Sequence, residues 1–135
     1  LVLSKIDFSA ALEMTFQITE NQSEIKKPIH LKLEGVQEKS TENKQTIYVD
    51  KQHLVFPLIL RKWQNADFFY PSGMSGKKKL SKYFKDEKFS LLEKQNTWIL
   101  CNNNNAIIWV VNHRQDNRFL AKETANNILK ISTIK

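Results

Sequence analysis

The sequence predicts an α+β domain, mostly antiparallel β in packed sheets, with one clear helix over about residues 77–86. Three observations predict it. Short segments that alternate apolar and polar side chains recur along the chain, the period of a half-buried strand. Ala106–Val111 (AIIWVV) is apolar throughout, as a strand covered on both faces must be. Leu80, Tyr83 and Phe84 fall at i, i+3 and i+4, the one clear helical stripe.

In chain order, Asp7–Met14 (DFSAALEM) can begin as a short helical turn and stays open. Met14–Thr19 (MTFQIT) and Ile29–Leu33 (IHLKL) alternate, and Thr46–Val49 (TIYV) is β-branched and aromatic. Leu58–Trp63 reads as a strand with Pro57 at its start, where a missing N–H is tolerated. A turn segment with Pro71, Gly73 and Gly76 follows. Lys77–Lys85 reads as the helix, with Ser75 as its N-cap. Thr97–Cys101 (TWILC) and Ala106–Val111 flank Asn102–Asn105. Asparagine tolerates positive φ, so this run reads as a hairpin turn rather than a ligand loop. Ile128–Thr133 (ILKIST) alternates and closes the β unit. Residues 1–57 are read as N-terminal strands that pack on or lead into a domain at 58–135.

A chain of 135 residues with eight Phe, three Tyr and three Trp can bury a core, roughly two-thirds of its unfolded surface. The net charge of +7 is uneven. Residues 1–60 hold seven Lys/Arg against eight Asp/Glu, whereas residues 61–135 hold fourteen against six. A basic excess confined to one half points to a polyanionic partner, nucleic acid first and an anionic membrane surface second. The single cysteine, Cys101, excludes an internal disulfide and fits a reducing, cytoplasmic setting. No apolar run approaches the roughly eighteen residues of a membrane span, and no membrane partner is expected. The chain shows no signal-peptide pattern and does not start with Met, so it reads as a piece of a longer protein.

Catalytic motifs are missing from the sequence. His30, His53 and His113 stand far apart without metal-ligand or triad spacing, and none of the Gly-rich phosphate signatures occurs. No catalytic, metal or cofactor residue is assigned. The basic residues carry the functional signal. Six lysines fall within Lys77–Lys88, with only Asp86 and Glu87 to oppose them. Three of them at the start of a helix work against its dipole, a cost that a bound anion would relieve. Lys77, Lys78, Lys79 and Lys82 are the first-rank candidates for phosphate contacts, the alternative being a solvated helix face. Arg61, Arg114 and Arg118 are second-rank candidates for bidentate contacts, although Asp116 can instead pair with one of the last two and close a turn. Among the aromatics, Trp63, Phe68, Phe69, Tyr70, Tyr83, Trp98 and Trp109 are candidates to stack on bases, although alternation places most of them in apolar strands and Trp98 and Trp109 read as core.

These residues also carry a resemblance. The order LRKW…ADFFYPSGMSGKKKLSKYFKDEK…WIL…IIWVV…RQDNRF closely resembles the C-terminal domain of bacterial tRNA(Ile)-lysidine synthase over about residues 58–133. The P-x-G-M-x-G-K-K-K-L core is its specific part. Residues 46–57 look like the family's lead-in. The chain departs from the pattern at Ala66, where the family has glycine before Asp67. It departs again at Asn112, where glycine is usual, and at Leu91-Leu92-Glu93, where many members carry arginine. The resemblance implies a small α+β domain similar to one in the β subunit of phenylalanyl-tRNA synthetase. It implies a parent ligase that uses ATP and magnesium, in an N-terminal domain absent here, to join lysine to the wobble cytidine of tRNA(Ile). This part would hold the acceptor stem, with no cofactor of its own. The implied partners are tRNA(Ile) and the other domains of the same chain, with a homodimer through the parent left open.

Overall fold

The computed structural model describes residues 15–135, so the open reading at Asp7–Met14 lies outside the described residues. Eleven strands and two helices are described. In order they are β1 (Phe16–Ile18), β2 (Glu24–Ile25), β3 (Leu31–Val36), β4 (Thr46–Asp50), β5 (Leu58–Lys62), β6 (Phe68–Phe69) and β7 (Lys78–Lys79). Then come α1 (Leu80–Asp86), α2 (Leu91–Asn96), β8 (Trp98–Cys101), β9 (Ile107–Val110), β10 (Arg114–Gln115) and β11 (Ile128–Thr133).

All pairings are antiparallel. One sheet runs β1-β5-β8-β9-β10, a second runs β2-β3-β11-β4, and β6-β7 form a separate ribbon. Because β1 pairs with β5 and β11 lies between β3 and β4, segments on both sides of Pro57 share one core.

Strand periodicity divides the side chains into layers. Leu58, Leu60, Leu100 and Trp109 point from the five-stranded sheet toward Leu31, Leu33, Ile47, Val49, Leu129 and Ile131 of the other. The alternate positions Ile59, Ile99, Cys101, Ile107 and Val110 pack under α1. The apolar run in β9 is thus buried on both faces, as its composition requires. A bulge where β8 meets β9 leaves Ile108 without an opposite residue, so Ile108 and the adjacent Trp109 both enter the inter-sheet core.

Helix α1 begins later than the lysine-rich segment predicts. Lys78 and Lys79 are extended and pair with Phe69 and Phe68, and the N-cap is Lys79, not Ser75, with no side-chain cap. The helix is held instead by burial of Leu80, Tyr83 and Phe84, each contributing about 1.5–3 kcal/mol. It ends in a Schellman motif. Lys88 takes φ 59, Lys88 N donates to Lys85 O at 3.1 Å, Phe89 N to Phe84 O at 2.9 Å, and the two phenylalanine rings pack together. Helix α2 has a capping box in which Ser90 Oγ accepts from Glu93 N and Glu93 Oε1 accepts from Ser90 N. It buries none of its residues.

Candidate nucleic-acid interface

The β6-β7 ribbon carries the turn Tyr70–Lys77 above the five-stranded sheet. The turn is held along its length. Ser72 N donates to Gln115 O at 2.9 Å, Asn117 N to Tyr70 O at 2.6 Å, and Arg114 Nη1 to Ser72 O at 2.9 Å. Gly73 and Gly76 take φ 78 and 76, a region that a side chain would strain. The turn therefore presents a preset backbone beside the lysines.

Ribbon pairing sorts those lysines. Lys79 stands opposite Phe68, which is exposed, and Lys78 stands opposite Phe69, which is buried. Lys77 Nζ lies 4.2 Å over the Phe68 ring. Lys79 and Lys77 face solvent, while Lys78 turns inward and meets Asp86 Oδ2 at 2.5 Å. Lys82 Nζ is 3.7 Å from Asp86 Oδ1 but remains 67% exposed. The Lys78 hydrogen bond, assisted by both lysine charges, lowers the Asp86 pKa below the usual carboxylate value. All four first-rank lysines line one groove of about 360 Å³ together with the exposed Met74. The structure brings them together, although from a strand, a turn and a helix rather than from one helical face.

The three arginines lie elsewhere. Arg61 is a correction, because its guanidinium is inside the protein. Period-2 alternation puts it on the same sheet face as Ile59, where it is 5% exposed. There Nη1 and Nη2 grip Asp67 Oδ2 and Oδ1 at 2.9 and 2.8 Å, and Nε donates to Asn105 Oδ1 at 3.0 Å. Burial, the largest single influence, opposes its charge, but hydrogen bonding to Asp67 together with the Asp67 and Cys101 interactions outweighs it and raises the pKa. Arg118 takes the pairing alternative. It donates to both carboxylate oxygens of the fully buried Asp116 and lies 4.4 Å over the Tyr70 ring. Asp116 also accepts from Tyr70 N and Arg118 N, so it ties the turn to the segment after β10. Arg114 is half-buried, with one N–H committed to Ser72.

Sequence reasoning offered Asp116 as a partner for Arg114 or Arg118 but missed Asp67 as the anchor of Arg61. The signal was available as one buried-strand arginine and one arginine pair, each with an acid within six residues. Trp109 is fully buried, and Trp98 is half-buried with Phe16 edge-on against it.

Beyond the turn lies a cleft of about 450 Å³, walled by Thr46, Ile47, Leu120 and Trp109, with Lys44, His113 and Arg114 at its margin. Burial, then the nearby Lys44 charge, lowers the His113 pKa. Two side-chain atoms beside it, Trp109 Nε1 and Gln115 Oε1, are buried without a hydrogen-bond partner. Each such group costs about 1–3 kcal/mol. Among the described residues no group of three His, Cys, Asp or Glu can hold a metal ion, and no helix is long and apolar enough to cross a membrane.

Known proteins give this geometry a lineage. The tRNA(Ile)-lysidine synthase of Parabacteroides distasonis is 50% identical over 90 residues, 67% of this chain and 20% of that protein. The synthase of Bacteroides thetaiotaomicron is 42% identical over 86 residues, 64% of this chain and again 20% of the relative. The chain thus spans about a fifth of the length of these curated relatives. The fold matches a solved structure described as the crystal structure of a TilS C-terminal domain. Its TM-score is 0.71 at 19% identity, and the match covers 90% of this chain and 98% of the other. Residues 58–132, more than half of the chain, match the family model for the TilS substrate C-terminal domain, and the chain belongs to that family.

Proposed function

We propose that this chain is the part of a tRNA(Ile)-lysidine synthase that grips the tRNA acceptor stem by its phosphates. The parent, a cytoplasmic ligase using ATP and magnesium in another domain, joins lysine to the distant wobble cytidine. Lys77, Lys79 and Lys82 make the direct contacts, and Lys78 joins them by exchanging Asp86 for a phosphate. Arg114 stands at the edge of this surface. Arg61 and Arg118 act from within, holding the turn that sets the lysines. The observation that carries this reading is the convergence of four lysines on one groove with Asp86 as their near counter-charge. Phosphate contacts of this kind set register on a duplex without reading sequence.

The test is binding of tRNA(Ile) to the chain over a range of salt. About four neutralised phosphates give a slope of log K against log salt near −3. Lys79→Glu with Lys82→Glu should flatten the slope and weaken binding. A slope near zero, or unchanged affinity in the double variant, refutes the assignment. One observation favours a second reading, docking on the remainder of the parent chain. Leu91 and Leu92 are 69% and 65% exposed on a helix that buries nothing. That reading expects no salt-dependent RNA binding, and protection of the two leucines in the full parent.

A further inference from the structure

We propose that the cleft between the Ser72–Gly73 turn and the start of β4 is a pocket for one unpaired nucleobase of a polynucleotide whose backbone lies on the lysine groove. The choice of a nucleotide rests on the RNA reading above. Its volume of about 450 Å³ falls in the roughly 300–1,000 Å³ range of small-molecule sites. Its lining also follows their pattern, with apolar Ile47, Leu120 and Trp109 beside a few polar groups.

Two buried groups provide a recognition edge. Trp109 and Gln115 are direct cross-strand partners on β9 and β10 and are 0% and 5% exposed. Side chains so placed stand on the same face, with Cβ atoms about 4.5–5.5 Å apart. The indole Nε1 is a donor only. The Gln115 amide gives Nε2 to the carbonyls of Tyr48 and Phe119 at 3.0 and 3.3 Å. Carbonyls only accept, so this amide cannot be flipped, and its oxygen is the atom left without a donor. A donor and an acceptor carried by paired residues of neighbouring strands can complement the pairing edge of any of the four bases, which sets the ligand class and leaves the base open.

At the margin, Lys44 and Arg114 supply positive charge for the phosphate. Glu42 also lines the cleft, but it already faces Lys39 at 3.5 Å. The polymer source follows from position. Ser72 and Gly73 wall the cleft, and the same turn, through Pro71 and Met74, walls the lysine groove. A backbone on one side of the turn can hand a base across it.

The experiment uses the chain labelled with ¹⁵N at tryptophan. The indole N–H signal of Trp109 is assigned by elimination with Trp63→Phe and Trp98→Phe. Probes are inorganic phosphate, the four nucleoside 5′-monophosphates, a blunt RNA duplex, and that duplex with a single-stranded 3′ extension. The Trp109 signal should move with at least one monophosphate and with the extended duplex, but not with phosphate or the blunt duplex. Lys44→Glu should weaken the response about tenfold. Lys79→Glu should weaken duplex binding and leave the mononucleotide response unchanged, so failure of the groove and failure of the pocket are distinguishable. A signal unmoved by every probe, moved equally by phosphate or blunt duplex, or already hydrogen-bonded in the free chain overturns the pocket. A response to mononucleotides alone overturns the polynucleotide source and assigns the pocket to a free nucleotide.

Discussion

Replacing Asp67 with alanine tests whether Arg61 is an internal anchor or a phosphate contact. In the folded chain the two side chains share a bidentate pair at 2.8 and 2.9 Å, and they are 5% and 8% exposed. Removing the carboxylate strands a buried guanidinium and takes away the acceptor of Gln64 N at 2.7 Å. Stranding one partner of a buried pair costs about 3–5 kcal/mol. Arg61 keeps its bonds to Asn105 Oδ1 and Lys62 O, which places the expected loss near 3 kcal/mol, the lower end. For a chain of this size that loss lowers Tm by about 10–15 °C, interpolating the usual scaling. Urea unfolding followed by tryptophan fluorescence measures it. The double variant Arg61→Met with Asp67→Leu removes both charges and should recover most of the loss. A cost of Asp67→Ala below about 1 kcal/mol would match a surface pair and refute the burial argument. If the double variant folds but its RNA salt slope flattens by about one, Arg61 contacts a phosphate and the anchor role is wrong.

Three other perturbations probe the groove and its frame. Asp86→Asn frees Lys78 from its ion pair, so tRNA binding no longer has to break that pair and affinity should rise; unchanged affinity means Lys78 stays out of the interface. Burial pushes the Cys101 thiol from 9.0 to about 12, with Arg61 a smaller opposing influence. The fold favours the neutral thiol, so its stabilising contribution is whole below about pH 9 and is lost as pH rises toward 12. The unsubstituted chain should thus lose stability more steeply above about pH 9 than Cys101→Ala, and matching pH profiles would contradict this. Ser90→Ala removes the α2 capping box, worth about 0.5–2 kcal/mol locally. Because α2 buries nothing, amide exchange should quicken across Leu91–Asn96 while Tm barely moves, and a large Tm drop would show that α2 supports the core.

Local pattern carried much of the fold. The alternation in ILKIST marks β11 at its full length, and the unbroken apolar run IIWV marks a strand covered on both faces. Asn105 and Asn112 take φ 72 and 67, the left-handed conformations that asparagine tolerates at turns. The lysine-rich segment misled at its start, since helix propensity favours Lys77–Lys79 while pairing with Phe68–Phe69 makes Lys78 and Lys79 a strand. Helix α2 escaped notice because its six residues carry no apolar stripe to bury, only a capping box.

For the site, the sequence alone determined that the basic excess lies in the second half, that the lysines after Gly76 are its densest run, and which family the chain resembles. These follow from charge and local residue order, which need no knowledge of distant contacts. Tertiary structure decided which cations are free. Arg61 and Arg118 look equivalent to the lysines in sequence, yet sheet alternation and two buried carboxylates, Asp67 and Asp116, draw them into the frame. Such pairing depends on which face of a strand a residue occupies and on what packs over it. Only the assembled sheets settle both.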